Sequence, residues 1–229
     1  IHLEAPGGLV RATATCESGA VKEVSIQNVP SFVDKLSGMI EVEGIGTLNV
    51  DTAYGGDSFC LVDAAALGFS VTTDEAHDLV ATGRAITAAA NEQLGFTHPE
   101  NPNWTHLSFC MMTCPPVFQD GAVVGRHTVI IQPGKLDRSP CGTGCSARMA
   151  VLHARGQLQP GQHFIGESVI DSRFNCQIDA VTSVGDGQVA VVPSLAGRAW
   201  LTGIHQHMLD PDDPWPTGYR LSDTWPRND

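Results

Sequence analysis

The stretch Asp137-Arg138-Ser139-Pro140-Cys141-Gly142-Thr143-Gly144-Cys145-Ser146-Ala147-Arg148 is the most informative in the chain. Upstream of it, Thr128-Val129-Ile130-Ile131 reads as a buried strand, and Pro133-Gly134 marks a tight turn. Downstream, Ala147, Met149, Ala150, Val151, Leu152 and Ala154 predict a helix over about 143–155 that stops at Gly156. Cys141 therefore falls just before a helix N-terminus, where the first N–H groups lack internal partners and the macrodipole adds partial positive charge. A thiolate there is expected to be stabilised and its pKa lowered, so that Cys141 acts as a base or nucleophile near neutral pH. Gly142 and Gly144 let the backbone approach an anion such as a carboxylate, Thr143 adds a hydroxyl donor, and Asp137 offers a charge for a substrate ammonium. Together these groups describe an amino-acid site. Spacing alone leaves the matter open, because Gly-x-Gly before a helix is equally a tight turn and an isolated cysteine is equally a core residue. Cys145 is expected to pack, and Arg138 and Arg148 are expected in solvated or structural roles.

Outward from this stretch the pattern is strands interrupted by two helices. Strands are predicted over 8–16 and 20–29 around the turn Glu17-Ser18-Gly19, with Pro30 breaking the ladder. A second hairpin runs through 40–43, Gly44-Ile45-Gly46 and 47–51, and the run from Phe59 to Val62 continues the sheet. The first helix spans 74–94, with Thr72 or Thr73 as N-cap and Asp74 and Glu75 in its first turn. Gly83 inside it costs about 1 kcal/mol relative to alanine, which predicts a packing reason or a bend. A polar loop covers 98–103, and strands follow over 104–113, near 168–183 and over 188–193. His205 and His207 alternate about Gln206 as a strand would, and a proline-rich tail over 210–216 is expected to lie over a surface.

The 229 residues, 42% of them hydrophobic, suffice for one large domain or two small ones. Thirteen basic against 25 acidic residues give a net charge of −12, which argues against nucleic acid and anionic membranes and favours a small-molecule partner. No run approaches the roughly 18 apolar residues of a membrane span, and the start lacks a signal-peptide pattern. Seven cysteines, an odd number in a core-rich chain, point to reduced thiols in the cytoplasm. The pairs Cys110/Cys114 and Cys141/Cys145 do not have the spacing of structural zinc sites, so no metal is expected. The chain opens Ile1-His2-Leu3-Glu4 with a strand already in progress, and is expected to be a piece of something longer.

At Asp137-Arg138-Ser139-Pro140-Cys141-Gly142-Thr143-Gly144 the chain closely resembles the proline racemase family, which includes hydroxyproline 2-epimerases and trans-3-hydroxyproline dehydratases. Further landmarks are Glu4-Ala5-Pro6-Gly7-Gly8-Leu9, Asn28-Val29-Pro30-Ser31-Phe32, Tyr54-Gly55-Gly56, Gly197-Arg198-Ala199-Trp200 and Asp212-Asp213-Pro214-Trp215-Pro216. The resemblance implies an α/β (α+β) protein of the diaminopimelate-epimerase-like fold. Its two lobes are each a curved, mostly antiparallel sheet or barrel around a central helix, closing over proline or hydroxyproline. It implies a cofactor-independent isomerase in which one cysteine removes the α-proton and a second delivers a proton to the other face.

By that pattern Cys141 is the second-lobe acid/base, Gly142 and Thr143 bind the substrate carboxylate, and Asp137 contacts the substrate nitrogen. Residues 1–30 are then the end of the first lobe, 31–203 the second lobe, and 204–229 a segment returning to the first. Family habit also implies a homodimer. A cysteine at 141 favours racemase or epimerase chemistry over dehydration, since the dehydratases typically carry threonine there. Departures are Cys145, where threonine is common, and Asp171 and Cys176, in a stretch that is often glycine-containing. The family's other motif, Met-Cys-Gly-His-Gly, does not occur in these 229 residues, and none of Cys16, Cys60, Cys110, Cys114 or Cys176 has that context. The isolated stretch is accordingly expected not to racemise. The rivals are a trans-3-hydroxyproline dehydratase and a non-catalytic fragment that binds a carboxylate.

Overall fold

A computed structural model describes residues 1–5 and 8–219; Pro6 and Gly7 of the first landmark, and the last ten residues of the 204–229 segment, lie outside the described residues. The chain divides into two compact units, residues 1–198 and 199–229. The first begins with β1 (His2–Ala5), β2 (Gly8–Glu17), β3 (Ala20–Gln27), β4 (Ser31–Val42), β5 (Gly46–Tyr54) and β6 (Ser58–Asp63). Helix α1 (Ala76–Gln93) separates these from β7 (Phe109–Thr113), β8 (Val117–Gln119), β9 (Ala122–Ile131) and β10 (Lys135–Leu136). Helix α2 (Gly142–Ala154) precedes β11 (His163–Glu167), β12 (Arg173–Val184) and β13 (Gln188–Gly197).

Strands β4, β5, β6, β7, β9, β11, β12 and β13 pair in that order. The ring closes where Ala190 and Val191 of β13 pair with Phe32 and Ser31 of β4. Most neighbours are antiparallel, but β6 with β7 and β9 with β11 run parallel. The strands β1, β2 and β3 continue from the barrel wall, β3 pairing with β13 through Ile26 and Leu195.

The wall is covered on both faces, and β6 shows how. Phe59 and Leu61 face Ala147 and Val151 of α2, while Cys60 and Val62 join the cluster containing Leu79, Ile86 and Ala90 of α1. A strand covered on both sides reads as a continuous apolar run rather than an alternation, as Phe59-Cys60-Leu61-Val62 does. Every residue of α2 from 144 to 152 is buried, whereas α1 buries only Leu79, Gly83, Ile86, Thr87 and Ala90. Helix α2 therefore fills the barrel and α1 lies against its outside, as expected for helices that are apolar all round and on one stripe respectively. Each fully buried Leu or Phe contributes about 1.5–3 kcal/mol relative to exposure, and Phe32, Phe59, Phe164, Leu79, Leu107 and Leu158 are all of this kind.

Several expectations change. The strand expected over 104–113 begins only at Phe109, because Trp104 turns its Nε1–H to the buried Ser58 hydroxyl, 3.0 Å away. The strand expected near 168–183 is a turn followed by β12, and β11 precedes it. Residues 168–172 are locked by Ser168 N–H to Ser172 O at 2.9 Å and by a 2.7 Å contact between the two hydroxyls. Asp171 in that turn has φ +62°, which accounts for a position where glycine is comfortable. Strand β3 ends at Gln27, before Pro30 is reached, and β4 starts directly after the proline. Gly83 has a packing reason: a Cβ there would stand 2.6 Å from Ile130 Cγ1. In the second unit, His205 and His207 lie in no strand; both are exposed and their rings stack at 6.3 Å.

Candidate active site

The segment that holds Cys141 is shaped by β9 and β10. After the turn at Pro133-Gly134, Lys135 and Leu136 pair back onto Ile131 and Ile130, and the Asp137 N–H donates to Val129 O at 2.9 Å. Asp137 Oδ1 accepts the N–H and the hydroxyl of Ser139, both at 2.9 Å, and Ser139 Oγ accepts the Cys141 N–H at 3.1 Å. The loop is thus tied from the carboxylate of Asp137 to the backbone of Cys141.

Cys141 is the N-cap of α2, with φ +60° and ψ +108°. A non-glycine residue rarely holds positive φ, and it persists only where its surroundings impose it. Its Sγ accepts the Gly144 N–H at 3.4 Å and lies 3.5 Å from Thr143 Oγ1, while its carbonyl accepts the Cys145 N–H at 2.7 Å. The sulfur therefore fills the place usually taken by a serine or aspartate oxygen. The Gly144 N–H, one of the first-turn groups expected to have no partner within the helix, is thus capped by the sulfur and is not free for a ligand. The first-turn donors left without a partner among the described residues are the N–H groups of Gly142 and Thr143.

A correction concerns the thiol. Its expected lowered pKa is not found; burial pushes Cys141 up to about 11, with the Asp137 carboxylate adding to the rise and Thr143 and Gly144 opposing it. Desolvation here outweighs the helix N-terminus. At neutral pH Cys141 stands as a thiol, a proton donor.

Other elements fix the first turn of α2. A Cβ on Gly55 would lie 2.2 Å from Thr143 O and 2.4 Å from Ala147 N, so the turn at Tyr54-Gly55-Gly56 presses directly on the helix backbone. Asn28 Nδ2 donates to Gly55 O at 2.8 Å and to Ser146 Oγ at 3.0 Å, and Ser146 Oγ donates to Gly142 O at 2.9 Å. These landmarks hold the helix end.

Cys145 is buried as expected, its thiol 3.3 Å from Pro140 O. Arg148 is buried and structural, donating to Arg126 O at 2.8 Å and Cys114 O at 2.6 Å. The main-chain oxygen of Arg138 accepts the Ser172 hydroxyl at 3.2 Å. Cys60 and Cys110 belong to the wall face toward α1, away from the core around α2, and all seven cysteines are unpaired. The sequence offers Asn28, Ser139 and Ser146 only as parts of motifs, without a role, and does not single out His127, whose Nε2 lies 2.6 Å from Pro140 O.

The larger clefts lie elsewhere. One of about 590 Å³ is lined by Asp51, Asp63, Cys114 and Arg155, another of about 670 Å³ by His77, Lys135, Arg138 and Ile170, and neither includes Cys141. The residues with acid/base and anion-binding capacity are at the N-terminus of α2, and the candidate site is placed there on chemistry rather than on cavity size.

A family model described as proline racemase matches residues 1–220. A crystal structure of a hydroxyproline epimerase from Agrobacterium vitis with bound trans-4-OH-L-proline is 39% identical, with a TM-score of 0.83, and is matched over 98% of this chain and 63% of its own. A probable proline racemase from Agrobacterium radiobacter K84 with bound carbonate is 38% identical, with a TM-score of 0.84, over 98% of this chain and 65% of its own. The chain thus spans slightly less than two-thirds of each of these relatives.

Proposed function

The chain belongs to the proline racemase family, and from that premise we propose that it supplies Cys141 as one acid/base of a cofactor-independent racemase or epimerase acting on proline or hydroxyproline. The single observation that carries this is a thiol at the N-cap of a buried helix, beside two unpartnered backbone donors. The substrate carboxylate sits on the N–H groups of Gly142 and Thr143, where the helix end also stabilises charge that develops as the α-proton leaves. Asp137 faces the substrate nitrogen through the part of its carboxylate not given to Ser139.

In one direction a base on the opposite face takes the α-proton, and the Cys141 S–H delivers its own proton to the carbanion, leaving a thiolate. In the other direction the roles exchange. Two groups are needed because one residue does not serve both faces of a tetrahedral carbon. With its pKa raised to about 11 Cys141 enters as the proton donor, and the reverse direction requires the N–H groups at the helix end and the bound substrate to favour its thiolate. In this proposal residues 31–203 form one lobe, residues 1–30 and 204–229 belong to the other, and the opposing thiol comes from that other lobe. A cytoplasmic homodimer is proposed with it, and no described helix is long and apolar enough to cross a membrane.

The test is deuterium exchange at the substrate α-carbon with the protein containing both lobes, wild type against Cys141→Ser. Loss of one proton-transfer group predicts a fall of about 10²–10⁴-fold in exchange and epimerisation; undiminished rates would remove Cys141 from the mechanism. Formation of a ketimine-derived product from trans-3-hydroxyproline, with no epimer, would assign dehydration instead.

A further inference from the structure

Directly beneath the Cys141 loop lies a polar pair that the proposed reaction does not use. His127 of β9 and Arg148 of α2 are both buried, with 0% and 3% of their surface exposed. His127 Nδ1 lies 2.9 Å from Arg148 Nη1 and 3.0 Å from Gly125 O, and its Nε2 lies 2.6 Å from Pro140 O. A guanidinium only donates, so the Nδ1 that faces it is an acceptor, with the Gly125 carbonyl left beside that lone pair, and the ring proton sits on Nε2, from which it is donated to Pro140 O at the shorter distance of 2.6 Å. The other tautomer would oppose two N–H groups at Arg148 and leave two acceptors 2.6 Å apart at Pro140. An imidazolium would face the guanidinium; burial and Arg148 together push His127 down to about 3. Cys145, also from α2, lies 3.7 Å from Nε2 and directs its own S–H to Pro140 O.

Pro140 immediately precedes Cys141, and the positive φ of Cys141 requires the adjoining peptide to be held. We infer that His127, its tautomer set by Arg148, is a positioning residue that clamps the Pro140 carbonyl and so holds Cys141 with its sulfur at the N-terminus of α2. The inference rests on the proposed role of Cys141 only for its catalytic consequence. His127 touches no substrate and exchanges no proton in the reaction. Its effect is geometric, in a site where displacement of a reacting group by about 1 Å is enough to cost about 100-fold.

Nitrogen-15 NMR of the wild-type protein near neutral pH tests the clamp without a variant. The expected signature is a protonated Nε2 and a bare Nδ1 on His127; an Nδ1–H tautomer or an imidazolium overturns the inference. The second measurement compares His127→Leu with His127→Gln, whose amide presents a donor toward Pro140 and an acceptor toward Arg148. In the protein containing both lobes, His127→Leu is expected to lower kcat for α-proton exchange by about 100-fold, to leave KM little changed, and to shift the pH profile of Cys141 alkylation read by mass spectrometry. His127→Gln is expected to restore most of both. A folded His127→Leu protein with wild-type kcat and a wild-type alkylation profile overturns the clamp. If alkylation depends on His127 while Cys141→Ser leaves exchange intact, the clamp stands and the racemase proposal falls.

Discussion

Gly83 stands in the middle of α1, where alanine would ordinarily gain about 1 kcal/mol. Yet a Cβ there would lie 2.6 Å from Ile130 Cγ1 and 3.1 Å from Ile130 Cβ, so rotating the end of the isoleucine does not clear it. Overpacking typically costs about 1–3 kcal/mol, and Gly83→Ala is expected to lower stability by about 1 kcal/mol net in urea unfolding. A gain would show that β9 yields at Ile130. Single residues differ in how far sequence discloses them. Cys141 and its glycines were legible because adjacent residues make the motif. His127 was not, because its partners are Pro140, thirteen positions away, and Arg148, twenty-one away, and no local pattern records either contact. The expected low pKa of Cys141 failed for a related reason: helix ends are visible in sequence, whereas the burial that overrides them is a property of the folded barrel.

At the start of α1, Glu75 Oε2 accepts the Thr72 N–H at 2.8 Å, and its two carboxylate oxygens approach the Ser70 N–H at 3.0 and 3.2 Å. These N–H groups, Ser70 first, hold the Glu75 carboxyl below its usual range. A depressed acid contributes stability above its unfolded pKa and loses it as pH falls through the folded value. Glu75→Gln is therefore expected to cost about 0.3–1 kcal/mol near neutral pH and progressively less below the ordinary glutamate range. An equal cost at both ends of a pH series of thermal melts would exclude the charged cap. The hairpins β2–β3 and β4–β5 were legible through Ser18-Gly19 and Gly44-Ile45-Gly46. The first half of β4 was not, because register shifts between Val33 and Lys35 and between Lys35 and Gly38, with Ser37 at φ +56°, break the alternation. Strand β11 was hidden by Gly166, which is required because a Cβ there would meet Cys145 Sγ at 2.4 Å.

For the molecule as a whole, buried titratable groups set the pH range of stability. His127, pushed down to about 3, is neutral when folded and charged when unfolded over the range between that value and the ordinary histidine pKa of about 6.5. Its contribution is complete above that range and is lost as pH falls through it, by up to about 1.4 kcal/mol per pH unit. Burial raises Cys141 to about 11 and Cys60 to about 12, and Cys110 and Cys145 rise with them. Raised acids contribute below the unfolded thiol pKa, and that contribution fades as pH climbs from about 8.5 toward the folded values. Urea midpoints against pH should accordingly trace a dome, and His127→Gln should flatten its acid side while leaving the alkaline side in place. An acid limb unchanged by that substitution would assign it to carboxylates.

The overall barrel was legible only through family resemblance, since ring closure at Phe32 and Ala190 joins residues 158 positions apart and leaves no local trace. One feature of its central helix reaches further than stability. The sulfur proposed to carry a proton is also the atom that accepts the Gly144 N–H, so ionisation, oxidation or alkylation of that sulfur is expected to alter this amide's hydrogen bond. One backbone amide, observed by its exchange with solvent or its resonance frequency, is therefore expected to report the state of the Cys141 sulfur without any substrate present.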